Sequence, residues 1–158
     1  MNEQPFLDRS HTRVQAIVVR HRRVLMVKHR VDDAAWWCLP GGGLKDDESL
    51  EEGAVRELQE ECHVQGSALR LTSHLIEASG VESFTFLVDI GNQEPRLGED
   101  PELDSQAQIL IDVQWLALDE IPERDRAFLW QAGLMTVAGF IEQVEGWGDA
   151  VSCPDCIG

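Results

Sequence analysis

At 158 residues with 43% hydrophobic side chains, the chain has the size of one domain and can bury a sizeable core, so a second domain is not required. Twenty-nine acidic residues against thirteen basic ones leave a formal charge of -16, which opposes nonspecific binding to nucleic acid polymers and anionic membranes and favours a small partner. There is no long apolar run and no charged-then-apolar start of the signal-peptide kind, so a cytoplasmic protein without a membrane partner is expected.

In chain order, residues 1–10 read as a tail, 11–146 as the domain and 147–158 as a second tail. Two β-branched, apolar segments, 14–19 and 24–27, flank the polar Arg20-His21-Arg22-Arg23 and predict a hairpin. Positive charge gathers here, since Arg9, Arg13, Arg20, Arg22, Arg23, Lys28 and Arg30 supply seven of the thirteen basic residues. Lys28, His29 and Arg30 finish the strand that precedes a glycine turn, which makes them candidates for contacting phosphate or nucleotide. Trp36 is a candidate for stacking on a substrate base.

The glycine turn Gly41-Gly42-Gly43 leads into a helix for which Asp46 or Asp47 is the expected N-cap. At about 100° per residue, Leu50, Ala54, Val55, Leu58 and Cys62 fall in one apolar arc, with Glu57, Glu60 and Glu61 along its edge. Such a carboxylate cluster repels itself unless Arg56 and a bound cation relieve it. Hard oxygen ligands select magnesium first and manganese second. Gly53, one turn before Glu57, is expected to leave room for an approaching phosphate.

Beyond the helix, 69–76 and 83–90 predict two strands separated near Ser79-Gly80. Residues 91–105 form a polar loop carrying Glu94, Glu99, Asp100, Glu102 and Asp104. A further strand is expected over 109–118. Apolar residues recurring from Phe128 to Val144 predict one long helix over 124–144. Strands flanked by two helices describe an α/β/α sandwich. Cys38 and Cys62 fall in elements expected to be buried, where thiols act as small hydrophobes. Cys153-Pro154-Asp155-Cys156 is a lone C-x-x-C, open to three readings: an inert tail, a redox or intersubunit disulfide, or half of a zinc site.

Gly42, Glu48, Arg56-Glu57-Leu58, Glu60-Glu61 and Val64 together resemble the Nudix box, G-x5-E-x7-R-E-U-x-E-E-x-G-U with U aliphatic. All defined positions but one match over twenty-three residues without a gap. The lead-in Trp37-Cys38-Leu39-Pro40-Gly41-Gly42 is similar to the family's approach to the box, with Trp37 in a packing role. The resemblance implies a Nudix-type α/β/α sandwich with a mixed sheet between helices. It also implies divalent-metal-dependent hydrolysis of a pyrophosphate bond in a nucleoside diphosphate linked to another group. Glu57, Glu60 and Glu61, with the Gly41 carbonyl, inherit the metal; Arg56 inherits an orienting role. Gly42 and Gly43 are counted with the substrate-binding residues. The general base is sought among Glu57 and the loop residues Glu99 and Glu102. Family habit alone points to a homodimer.

The departure is His63 where the pattern has glycine. A helix commonly ends there in a left-handed residue, and histidine is among the non-glycine types enriched at positive φ. The ADP-ribose signature, a proline fifteen or sixteen residues past the box, is missing; so are the tyrosine of diadenosine-polyphosphate hydrolases and the SQPWPFPxS array of NADH hydrolases. A nucleoside triphosphate or nucleotide sugar stays open as substrate. Two other classes stand beside the hydrolase: a noncatalytic nucleotide-sensing module, which normally tolerates loss of box glutamates that are all present here, and a Nudix-fold isoprenyl diphosphate isomerase.

Overall fold

The computed structural model describes residues 9–98 and 109–145. Strand β1 (Thr12–Ile17) is followed by the hairpin β2 (Val19–Arg20) and β3 (Arg23–Val31), in register Val19↔Val24 and Arg20↔Arg23. His21 and Arg22 close it with φ of 50° and 65°, the two consecutive positive values that a tight hairpin turn needs to match strand twist. The second strand of the expected hairpin thus runs on to Val31, because β4 (Ala34–Cys38) and β8 (Ile109–Leu116) pair with it on either side.

Two sheets result. The first is mixed, in the order β5 (Gly41–Gly43), β1, β7 (Glu82–Asp89), β6 (Ser67–Ile76), with β1 and β7 parallel and the other pairs antiparallel. The second, antiparallel, holds β2, β3 and β4 in order, with β8 on the free side of β3. Alternating side chains divide the core in two. Val14, Ala16, Leu25 and Val27 join Phe84, Phe86 and Val88 beneath Ala54, Leu58 and Cys62 of helix α1 (Leu50–Cys62). Ile17, Val24 and Met26 face the other way, onto Leu129, Leu134 and Phe140. Helical layers on both faces make the α/β/α sandwich that the strand and helix order predicts. No helix among the described residues is long and apolar enough to cross a membrane.

Three local expectations are corrected. The N-cap of α1 is Ser49, not Asp46 or Asp47: Ser49 Oγ accepts from the Glu52 amide at 3.1 Å, and Glu52 Oε2 accepts from the Ser49 amide at 2.9 Å. This reciprocal box satisfies two amides that would otherwise be orphaned, and losing such a cap typically costs about 1 kcal/mol. Gly53 meets core and loop rather than open space; a Cβ there would lie 2.9 Å from Leu44 Cδ1 and 3.0 Å from Val14 Cγ2. The long helix over 124–144 is broken into α2 (Glu123–Gln131), a 3-10 turn (Leu134–Thr136) and α3 (Ile141–Val144). Gly133 and Gly139 sit at φ of 87° and 92°, and a Cβ on Gly133 would collide with the Thr72 carbonyl. The end of α2 is pinned to β6 by Thr72 Oγ1, which donates to the Ala132 carbonyl at 2.8 Å.

At the other end of α1, His63 is left-handed, φ 55° and ψ 36°, and its amide donates to the Gln59 carbonyl at 3.0 Å. The last carbonyls of the helix are taken by the chain after β7: Arg96 donates to Cys62 O at 2.9 Å and Gly98 to Glu61 O at 2.7 Å. A Cβ on Gly98 would collide with Glu60 O. Glu99 and Glu102, Asp100 and Asp104, and the Cys153/Cys156 pair lie outside the described residues.

Candidate active site

The glycines of β5 let the box helix approach the sheet. Gly41 and Gly42 pair with Gln15 and Val14, and an added Cβ on Gly41 would stand 2.5 Å from the Val14 carbonyl. One on Gly42 would stand 2.5 Å from Glu57 Oε1 and 2.9 Å from Oε2, so the Glu57 carboxylate occupies the space a side chain would fill.

Arg56 organises the acids around it. Its Nε and Nη2 donate to the two oxygens of Glu48 at 2.9 and 2.7 Å, Nη1 donates to Glu57 Oε1 at 2.9 Å and Glu60 Oε2 at 3.2 Å, and Nη2 also reaches the Gly43 carbonyl at 2.9 Å. Such fork-to-carboxylate bonds are strong and directional. Hydrogen bonding to Arg56 holds the Glu48 carboxyl below its ordinary range, and Glu48 in turn raises the guanidinium. Glu57 behaves differently. Burial pushes its carboxyl up to about 7, with Arg56 pulling against the shift and Glu61 and Glu60 adding to it.

Glu61 is fully buried. Its Oε1 accepts from the Gly41 amide at 2.7 Å, and Oε2 lies 3.4 Å from His29 Nε2. Glu60 is half-buried, with Lys45 Nζ at 3.7 Å. Two carboxylate oxygens, Glu57 Oε2 and Glu61 Oε2, are buried and accept no hydrogen bond, the second with His29 Nε2 at 3.4 Å. Buried polar atoms are nearly always satisfied, and an unsatisfied anion is costly. A cation drawn to oxygen would satisfy both, so the donor set fits a hard divalent ion. As the side chains stand, no three His, Cys, Asp or Glu groups among the described residues converge closely enough to hold one. Arg56 lies between Glu57 and Glu60, bonded to both.

The substrate residues expected from the strand before the turn do not form one site. Alternation along β3 turns His29 toward the box helix, where it is buried against Glu61 and stacks with Trp36 at 6.0 Å between ring centroids. Lys28 and Arg30 lie on the opposite face; Lys28 Nζ sits 5.4 Å over the Trp37 ring and Arg30 is exposed. Trp36, by contrast, lines a cleft of about 650 Å³ between β4 and α2, together with Arg13, Gln15, Cys38, Asp125 and Phe128. A cavity of that size suits a nucleoside-sized ligand.

Sequence reasoning missed this cleft because its walls come from β1, β4 and α2. Asp125 is the least foreseeable member: buried, it accepts from the Trp37 amide at 2.9 Å and Arg124 Nε at 3.0 Å, tying α2 to β4. Nothing local in Glu123-Arg124-Asp125 announces that contact. Burial, aided by the nearby Glu61, pushes the Cys38 thiol up to about 12, and burial likewise raises Cys62. Both are free; Cys62 is buried as expected while Cys38, on the half-exposed β4, is only partly so, and both are poor nucleophiles in this setting.

Known proteins resemble this chain in sequence and fold. The nucleoside triphosphate pyrophosphatase/Nudix hydrolase fusion protein of Bifidobacterium longum (strain NCC 2705) is 26% identical over 110 residues, which is 63% of this chain; the chain spans 20% of that protein's length. A solved MutT NUDIX hydrolase from Burkholderia pseudomallei superposes with a TM-score of 0.60 at 27% identity, covering 77% of this chain and 96% of the other. An ADP-ribose pyrophosphatase from Streptococcus suis shares the fold with a TM-score of 0.57 at 21% identity, over 70% of this chain and 76% of the other. The NUDIX domain family model matches residues 9–138, spanning β5, the box helix and both walls of the cleft, and on that match the chain belongs to the NUDIX domain family.

Proposed function

We propose that the protein is a magnesium-dependent pyrophosphohydrolase acting on a small nucleotide, either a nucleoside triphosphate or a nucleotide sugar. The observation that carries the reading is the pair of buried oxygens on Glu57 and Glu61 that accept no hydrogen bond, set behind a glycine strand and beside a nucleoside-sized cleft.

Glu57, Glu60, Glu61 and the Gly41 carbonyl would hold the ion, with manganese the alternative to magnesium. When bound, a divalent cation supplies charge neutralisation at the pyrophosphate and acidification of water. The residues of the chain do the rest. Gly42 leaves room for the Glu57 carboxylate, Gly43 opens onto free space where a phosphate can approach, and Trp36 offers an aromatic face to the base. Arg56 fixes Glu57 and Glu60 and offsets the charge of Glu48. Glu57, held by Arg56 beside the other box glutamates, is one candidate to accept a proton from the water that attacks phosphorus. Attack forms a phosphorus–oxygen bond and breaks the bridging one, releasing two phosphorylated products. Glu99 and Glu102 are the other candidates for this base; Glu99 follows directly in sequence on Gly98, which donates to the Glu61 carbonyl, and Glu102 comes three residues later. His29 is better read as a neighbour of Glu61 than as a substrate ligand.

The test is a panel of nucleoside triphosphates, oxidised nucleotides, nucleotide sugars, ADP-ribose and dinucleoside polyphosphates, incubated with magnesium and with EDTA and resolved by chromatography. Metal-dependent cleavage of one class is expected. Folded protein that cleaves none of them returns weight to a sensing module, and a rearranged isoprenyl diphosphate with its diphosphate intact would identify an isomerase instead.

A further inference from the structure

Most basic side chains near the site are already engaged. Arg56 is bound to Glu48, Glu57 and Glu60, Lys45 stands near Glu60, and Arg124 is bound to Asp125. Arg13 differs, since its side chain makes no hydrogen bond or ion pair to another of the described residues. It is exposed, it lines the cleft, and it lies on β1 directly opposite Gly43 of the glycine strand. The neighbouring Cys38 thiol feels both the Glu61 carboxylate and the Arg13 guanidinium, so cleft, cation and carboxylates share one neighbourhood.

A polyanionic substrate entering a protein of formal charge -16 meets repulsion that a local cation must offset. A guanidinium left without a carboxylate, in a chain with more than twice as many acids as bases, retains its full capacity for phosphate. We propose that Arg13 grips a non-bridging oxygen of the phosphate chain where it passes from the cleft to the box glutamates, which selects for ligands carrying at least a diphosphate. This rests on the pyrophosphohydrolase reading for its biological meaning, while the anion site itself is testable without turnover.

The probe is methylenediphosphonate, which carries the pyrophosphate geometry without a base and cannot be hydrolysed. Its binding is measured by calorimetry at fixed low ionic strength, in EDTA and in magnesium, to the wild type, R13Q, R13K and R22Q. Arg22 lies in the β2–β3 turn and is exposed, so R22Q controls for the change in net charge. Charge-assisted hydrogen bonds to phosphate contribute enough that R13Q should bind about 10- to 100-fold more weakly in EDTA. R13K should recover part of that loss, R22Q should match the wild type, and melting temperatures should be unchanged. Equal binding by wild type and R13Q, including no binding by either, overturns the assignment, as does an equal loss in R22Q. The two readings fail separately: magnesium-dependent hydrolysis untouched in KM by R13Q rejects Arg13 alone, whereas an R13Q-sensitive anion site with no effect of magnesium and no hydrolysis rejects the enzyme.

Discussion

Replacing Glu57 by glutamine removes a titration that burial has moved, and the effect on stability has a definite sign. The carboxyl is pushed from 4.5 up to about 7 in the folded protein. Below pH 4.5 both folded and unfolded chains hold this proton. Between 4.5 and about 7 the unfolded chain has released it and the folded chain has not, so this group withdraws stability as pH rises, levelling off above 7. At about 1.36 kcal/mol per pH unit, the cost accumulated from pH 5 to pH 8 is about 2.5 kcal/mol. Glu57→Gln is neutral throughout and lacks that slope. Urea denaturation in EDTA at pH 5 and pH 8 should therefore show the variant gaining about 2.5 kcal/mol on the wild type. Groups with the opposite sense, such as Glu48 held low by Arg56, titrate in both proteins and cancel. Magnesium should stabilise the wild type more strongly at pH 8 than at pH 5, because a cation competes with the Glu57 proton. Parallel pH profiles for wild type and variant would refute the reasoning.

His63→Gly should stabilise the fold by up to about 1 kcal/mol, since histidine is held left-handed at φ 55° and glycine removes that strain at some cost in backbone entropy; a lower denaturation midpoint than wild type would count against it. Gly42→Ala places a methyl 2.5 Å from Glu57 Oε1, and it should abolish most turnover while circular dichroism still reports a folded protein; wild-type rates would show that the Glu57 position is not critical.

How much of this was legible in the chain depends on how local each signal is. The β2–β3 hairpin and the box helix follow from short-range patterns, whereas the expected glycine turn is strand β5, formed by pairing with the distant β1; of the apolar arc, Leu50, Ala54, Leu58 and Cys62 lie close to or within the core and Val55 does not. The N-cap was legible too: Ser49-x-x-Glu52 is a capping-box spacing, overshadowed by the two aspartates before it. Helical periodicity past Phe128 was real but not continuous, because Leu134 and Phe140 reach the same core cluster across turns at Gly133 and Gly139. Strand alternation already separates His29 from Lys28 and Arg30. What could not be read was the cleft. Arg13, Trp36 and Asp125 come together only through the pairing of β1 with β5 and the docking of α2 on β4, contacts that no local spacing encodes. The same holds for the chain ending at Gly98, whose seat on the last turn of α1 depends on two backbone hydrogen bonds formed across some thirty-five residues of sequence.

If the box carboxylates hold a divalent ion, hydrolysis depends on both. The most direct measurement is a magnesium titration of pyrophosphate-bond cleavage by the wild type and by a folded Glu60→Gln/Glu61→Gln double variant. Saturable activation of the wild type, with at least a hundredfold loss in the double variant (about 2.7 kcal/mol or more of lost transition-state stabilisation), is the expected result; wild-type rates and the same magnesium response in the double variant would contradict it.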